Sequence, residues 1–83
     1  MSKQTITMKV NLNSIEKVKN FCKQTIKLSG LLKVSDDVFT VDGKSILGIF
    51  SLNLTKNVTL IYEYDTNNKN EDIKILKDII NTL

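Results

Sequence analysis

The chain of 83 residues contains no histidine, no arginine, no proline and no tryptophan, and its one cysteine is Cys22. Without histidine, serine–histidine and cysteine–histidine nucleophile pairs cannot form, and neither can a phosphohistidine. A zinc site of the usual His/Cys spacing is excluded on the same ground, and a single thiol cannot close an internal disulfide. Cys22 falls on an apolar helical stripe and reads as a small buried hydrophobe. The basic residues are all lysine, scattered rather than clustered, so the bidentate fork that reads phosphate and guanine is missing. Aromatic residues are few and do not interleave with the lysines. Nucleic acid is therefore not an expected partner, and the net charge of +3 reads as a solvated lysine-rich surface. Apolar runs are only a few residues long, and the stretch from Met1 to Thr5 lacks the apolar centre of a secretory signal. The expectation is a cytoplasmic protein without a membrane partner.

What is present is ordinary globular composition. Hydrophobic residues make up 41% and charged residues 25%, unlike the charge-rich, apolar-poor mix of a disordered chain. The length accommodates a single domain spanning residues 1–83, which buries only roughly 60–65% of its unfolded surface.

Thr5 to Val10 alternates with period two, with Ile6, Met8 and Val10 on one face and Thr5, Thr7 and Lys9 on the other, as in a half-buried strand. Asn13, followed three residues later by Glu16, resembles a capping box that opens a helix. That helix carries Ile15, Val18, Cys22 and Ile26 along one stripe, with Phe21 and Thr25 beside it, while Lys17, Lys19 and Lys23 face solvent. Its end is expected between Lys27 and Gly30. Leu31–Ser35 and Val38–Val41 read as short strands joined at Asp36-Asp37, and Asp42-Gly43 turns the chain. Period alone leaves Ser45–Leu52 open between strand and helix. Ser45 as an N-cap, with Leu47 and Phe50 three apart, favours a short helix. Thr59–Tyr64 is a strand with Leu60, Tyr62 and Tyr64 on one face, and Asp65–Asn70 is a polar loop. A last helix spans about Glu71 to Leu83, its stripe formed by Ile73, Leu76, Ile80 and Leu83 and widened by Ile75 and Ile79. Glu71 and Asp72 in its first turn suit the helix dipole.

The order β-α-β-β-α-β-α predicts an α+β open-faced sandwich, a four-stranded antiparallel sheet with three helices on one face. The outer face would carry Thr5, Thr7, Lys9, Lys33, Thr59 and Glu63 and meet water. Tyr62 and Tyr64 read as core or sheet-packing residues.

From Asp36 onward the chain resembles HPr, the small phosphocarrier of the bacterial sugar phosphotransferase system. The stretches that carry the resemblance are Gly43-Lys44-Ser45-Ile46-Leu47-Gly48-Ile49-Phe50-Ser51-Leu52 and Thr55-Lys56-Asn57-Val58-Thr59-Leu60. The family has Lys-Ser-Ile, a bulky apolar residue and Gly, two more apolar residues, then Ser-Leu. Asn53 and Asn57 stand where the family usually has glycine, a change that asparagine tolerates because it also visits the left-handed region.

The resemblance implies an HPr-like fold over the whole chain, no cofactor, and a phosphate-accepting His at the start of the first helix, followed by a small residue, Arg and Pro. Counting back without gaps from Ser45, Ser14 falls at the His position, Glu16 at the Arg position and Lys17 at the Pro position. No catalytic residue is therefore assigned. Glu16 repels the phosphate that the family's Arg attracts, and a helix N-terminus alone is a weak anion site.

The resemblance further implies that Ser45 matches the serine phosphorylated by an ATP-dependent kinase in HPr proteins of Gram-positive bacteria and in a His-less paralogue. It also implies that Lys44, Ile46, Leu47 and Phe50 form an exposed patch for protein partners: an HPr serine kinase, a transcriptional regulator or phosphotransferase components. Ile49, Leu52 and Leu54 would face the core. At this point two readings stand. One is a regulatory, HPr-like docking protein switched at Ser45; the other is an unrelated small α+β module that binds a ligand or oligomerises through its open sheet. An enzyme is not expected, since Asp36, Asp37, Asp42 and Glu63 look like turn and solvated residues rather than an acid–base set.

Overall fold

The computed structural model describes residues 3–65 and 69–83. Its elements are β1 (Lys3–Val10), α1 (Ile15–Thr25), β2 (Leu31–Ser35), β3 (Thr40–Asp42), α2 (Ile46–Phe50), β4 (Val58–Asp65) and α3 (Lys69–Asn81). The strands form one antiparallel sheet in the order β1-β4-β2-β3. Register runs from Lys3 opposite Asp65 to Val10 opposite Val58, and Leu32 and Val34 of β2 face Tyr62 and Leu60 of β4. With period-two alternation, this register puts Val10, Leu32, Val34, Leu60, Tyr62 and Tyr64 on the buried face. The three helices pack on that face, and the open-faced α+β architecture expected from the sequence is the one observed.

The core joins those strand residues to Leu12, Val18, Phe21 and Leu28 from α1 and its flanks, Ile49 and Leu52 around α2, and Leu76 and Ile79 of α3. Tyr62 and Tyr64 stack with ring centroids 5.9 Å apart, as fits two large same-face residues on one strand. The outer face carries the exposed Thr5, Thr7, Lys9 and Lys33, with Thr59 and Glu63 half-buried.

Several boundaries differ from the sequence expectation. The N-cap of α1 is Ser14, not Asn13, and its hydroxyl accepts from the N–H of Lys17, so Glu16 closes no capping box. Asn11 is the reason: its Oδ1 accepts the N–H of Asn13 at 2.9 Å, and this local turn delays the helix by one residue. The buried stripe of α1 is Val18, Phe21 and Thr25. Cys22 lies half-buried beside it, while Ile15 and Ile26 are exposed at the two ends, beyond the reach of the core. Lys17 is half-buried rather than solvated. The helix stops at Thr25, whose hydroxyl donates to the carbonyl of Cys22, instead of continuing to Lys27.

The strand expected over Val38–Val41 starts at Thr40. Asp36 consumes the residues between, because its Oδ1 accepts the N–H groups of Val38 (3.0 Å) and Phe39 (2.8 Å) while Asp37 takes φ 79°. Backbone donors spent on this turn cannot join a ladder. β4 gains Val58 and Asp65. The last helix begins at Lys69 and ends at Asn81, ahead of the expected Leu83. Its buried line is Asp72, Leu76 and Ile79, with Ile75, Ile80 and Leu83 packed beside it and Ile73 on the flank. Of the polar loop expected over 65–70, residues 66–68 lie outside the described residues. Among the described residues, no helix is long and apolar enough to cross a membrane.

Candidate functional site

The segment from Asp42 to Leu54 builds one compact surface. Asp42 starts it: its Oδ1 accepts the N–H of Lys44 at 2.9 Å, and its carbonyl accepts the N–H of Ser45 at 3.1 Å. Ser45 is thereby held in an extended conformation as the N-cap of α2, and its Oγ accepts the N–H of Gly48 at 3.1 Å. A Cβ at Gly48 would lie 3.2 Å from both the Ser45 hydroxyl and Val41 Cβ, so a larger residue there would crowd the cap and require the neighbours to give by a few tenths of an ångström. At the other end, the N–H of Ser51 donates to the carbonyls of Leu47 (3.2 Å) and Gly48 (3.1 Å) and closes the helix.

Helical periodicity then sorts the apolar residues. Ile49 and Leu52 are buried, Leu54 is partly buried, and Leu47 remains 80% exposed, with Ile46 at 38% and Phe50 at 40%. Three large hydrophobes facing water on one five-residue helix are more than isolated surface residues need explain. Lys44 is exposed, but its ammonium is engaged: Nζ donates to the carbonyl of Leu28 at 2.7 Å.

A groove of about 510 Å³ adjoins this patch between the start of α1 and the end of α2. Leu12, Ser14, Ile15, Phe50, Leu54 and Thr55 line it. Ser14 sits at its α1 end with its hydroxyl committed to capping, and Ile15 adds an apolar side chain that is 63% exposed. Glu16 is exposed in the first turn, so a carboxylate rather than a cation stands beside the helix start.

The acidic residues weighed as acid–base groups do not converge. Asp36 clasps its own turn, and its Oδ2 also accepts the N–H of Asn53 at 2.9 Å. Asp37 lies in the same turn, Asp42 orients Lys44, and Glu63 pairs with Lys3 at 3.6 Å on the sheet. Backbone N–H groups, led by that of Phe39, hold the Asp36 carboxyl below the usual carboxylate range. Burial raises the Cys22 thiol above its ordinary value, away from nucleophilic reactivity. Among the described residues no group of three or more Cys, Asp or Glu side chains converges to hold a metal.

Sequence reasoning missed one buried polar cluster. Tyr62 donates to Asp72 Oδ2 at 2.8 Å, Ser29 Oγ donates to the same oxygen at 2.9 Å, and the Tyr62 hydroxyl accepts the N–H of Gly30 at 2.7 Å. The signal was present in the spacing, since Asp72 precedes Leu76 by four and Ile79 by seven residues and so shares their face.

The whole of this frame has a counterpart in a solved structure. The chain aligns over 99% of its length with 93% of HPr-C-His from Thermoanaerobacter tengcongensis, at 32% identity and a TM-score of 0.66. The chain belongs to the HPr family. The phosphocarrier protein HPr from Bacillus anthracis str. Ames superposes with a TM-score of 0.68 over 96% of this chain and 95% of its own, at 19% identity, a likeness of fold. No family model and no curated protein sequence matches the chain.

Proposed function

We propose that this HPr-family protein is a regulatory docking protein that carries no phosphohistidine and is switched by phosphorylation of Ser45. Family membership supports a role related to the sugar phosphotransferase system, and HPr proteins are carriers rather than enzymes. The observation that carries the finer reading is a juxtaposition. Ser45 caps the helix whose side chains Ile46, Leu47 and Phe50 are exposed, in a chain with no histidine to phosphorylate. Lys44, beside Ser45, belongs to the same surface.

The chemistry follows from the cap. An ATP-dependent kinase transfers the γ-phosphoryl group to Ser45 Oγ, the hydroxyl proton leaves and ADP departs. The product carries nearly two negative charges at the edge of an apolar patch, and this changes which partner surfaces fit there. At the α1 end, Glu16 and the committed hydroxyl of Ser14 argue against phosphoenolpyruvate-driven transfer. The apolar Ile15 instead extends the patch across the groove.

Titration of the isotope-labelled protein with HPr serine kinase tests the docking surface by the amide resonances it perturbs. The reading expects shifts at Lys44, Ile46, Leu47 and Phe50, lost in Leu47→Asp. Shifts confined to the outer sheet face around Leu31 and Ile61 would favour the open-sheet module instead.

A further inference from the structure

The segment joining α1 to β2, residues 26–30, is held by hydrogen bonds from three other parts of the chain. From the turn between β3 and α2, Lys44 Nζ donates to the carbonyl oxygen of Leu28 at 2.7 Å. From α3, Asp72 Oδ2 accepts Ser29 Oγ at 2.9 Å, and from β4 the Tyr62 hydroxyl accepts the N–H of Gly30 at 2.7 Å. All three bonds are partly buried, and the second and third converge on the Tyr62–Asp72 pair. The first is a single lysine side chain whose backbone is fixed by Asp42 and which immediately precedes Ser45.

These holds differ in what a phosphate on Ser45 would do to them. The Leu28 carbonyl is a neutral acceptor, and its bond to the ammonium is partly buried. A phosphoserine offers three acceptor oxygens and close to two negative charges, so it adds to the ammonium's hydrogen bond a charge–charge attraction that the carbonyl lacks. Lys44 is also the only lysine between Lys33 and Lys56, which makes it the nearest cation along the chain to Ser45.

We propose that Lys44 transmits the Ser45 switch: phosphorylation draws its ammonium from the Leu28 carbonyl to the phosphate and releases the end of α1. The inference rests on the reading of Ser45 as a phosphorylation site and adds where the signal goes. The step exchanges one hydrogen-bond acceptor for another and breaks no covalent bond. Freed from Lys44, the Leu28 carbonyl turns to water, and the connection keeps only its anchors on Tyr62 and Asp72. Ile26, the C-cap of α1 and 72% exposed, moves with it.

The test installs phosphoserine at position 45 during synthesis, so that it does not depend on any kinase. Amide hydrogen exchange is read at Leu28, whose N–H donates to Thr25 O at 3.0 Å, and at Gly30. Loss of one such hydrogen bond corresponds to roughly three- to tenfold faster exchange. The proposal expects that acceleration in the phosphoserine protein. It expects the same acceleration in unmodified Lys44→Met protein, with nothing further when phosphoserine is added to it, while amides of β1 and β4 keep their rates throughout. Unchanged exchange at Leu28 and Gly30 in the phosphoserine protein overturns it. So does wild-type exchange in Lys44→Met, a phosphoserine effect that persists in Lys44→Met, or acceleration spread over β1 and β4. If a kinase leaves Ser45 unmodified while installed phosphoserine gives the expected pattern, the regulatory reading fails and the coupling through Lys44 stands.

Discussion

Tyr62 and Asp72 share a buried hydrogen bond of 2.8 Å that ties the middle of β4 to the first turn of α3. Asp72 is only 3% exposed and Tyr62 1%, so the bond lies inside the apolar core and its groups have no water to fall back on. The same tyrosine oxygen receives Gly30, and the same carboxylate oxygen receives Ser29. Two residues ten apart in sequence thus hold the connection between α1 and β2 just ahead of the strand.

Removing that hydroxyl has a defined cost. Tyr62→Phe leaves the N–H of Gly30 without its acceptor and takes one donor from a buried carboxylate, which destabilises by about 1–3 kcal/mol. Urea unfolding of both proteins at neutral pH reads the difference. Burial, followed by the Asp72 side chain, pushes the Tyr62 hydroxyl up from 10.0 to about 12. A raised folded value means the contribution is complete below the unfolded value of 10.0 and is lost as pH rises towards about 12. Stability of the native protein therefore falls across that window more steeply than that of Tyr62→Phe.

Asp36 gives the opposite dependence. Its carboxyl is held low by the N–H groups of Phe39, Asn53 and Val38, so its contribution is present above the unfolded value of 3.8 and is lost as pH falls through the depressed folded value. Asp36→Asn removes the titrating group. Urea midpoints measured on both proteins from neutral pH down through the carboxylate range are expected to fall for the native protein and to fall less for the variant.

Gly30 is required for a close approach rather than for its backbone angles. A Cβ there would collide with the carbonyl oxygen of Glu63 and lie 2.7 Å from the Tyr62 hydroxyl. Gly30→Ala is expected to destabilise by about 1–3 kcal/mol, as overpacked sites do. It should also weaken the Gly30–Tyr62 hydrogen bond, visible as faster exchange of the Gly30 amide.

The exposed patch separates stability from docking. Leu47 is the most exposed of the three hydrophobes on α2, so Leu47→Asp should change stability by no more than about 0.5 kcal/mol. Its affinity for a partner that docks on α2 should fall by about tenfold or more, since the substitution would bury an unpaired carboxylate in an apolar contact. Thermal unfolding and a binding titration with the same two preparations check both halves.

Much of this was legible in the sequence. Alternation in Thr5–Val10 and Thr59–Tyr64 and the Ser45 cap gave strands and a short helix whose burial follows the pattern, because period and burial are the same geometric fact. The segment from Lys44 to Leu52 stood out through its resemblance to HPr, since period alone left it open between strand and helix. What could not be read were side chains that spend backbone donors locally. Asn11 moved the start of α1 by one residue, and Asp36 removed Val38 and Phe39 from a strand whose apolar residues suited it. Ile15 and Ile26 fitted the helical stripe, yet the core is too short to cover either. Asp72 was read as a dipole partner although its spacing set it on the buried face, since a carboxylate enters a core only with donors such as Tyr62 and Ser29, which lie far away in sequence. Nor does anything near Lys44 in the sequence point to the Leu28 carbonyl, sixteen residues away, on which its ammonium rests.

The most direct measurement of the central claim is the intact mass of the protein after two parallel incubations, one with phosphoenolpyruvate, magnesium and enzyme I, the other with ATP, magnesium and HPr serine kinase. The account predicts one phosphoryl group gained with the kinase, absent in Ser45→Ala, and none gained from phosphoenolpyruvate. A phosphoryl group acquired from phosphoenolpyruvate, or kinase labelling that survives Ser45→Ala, would contradict it.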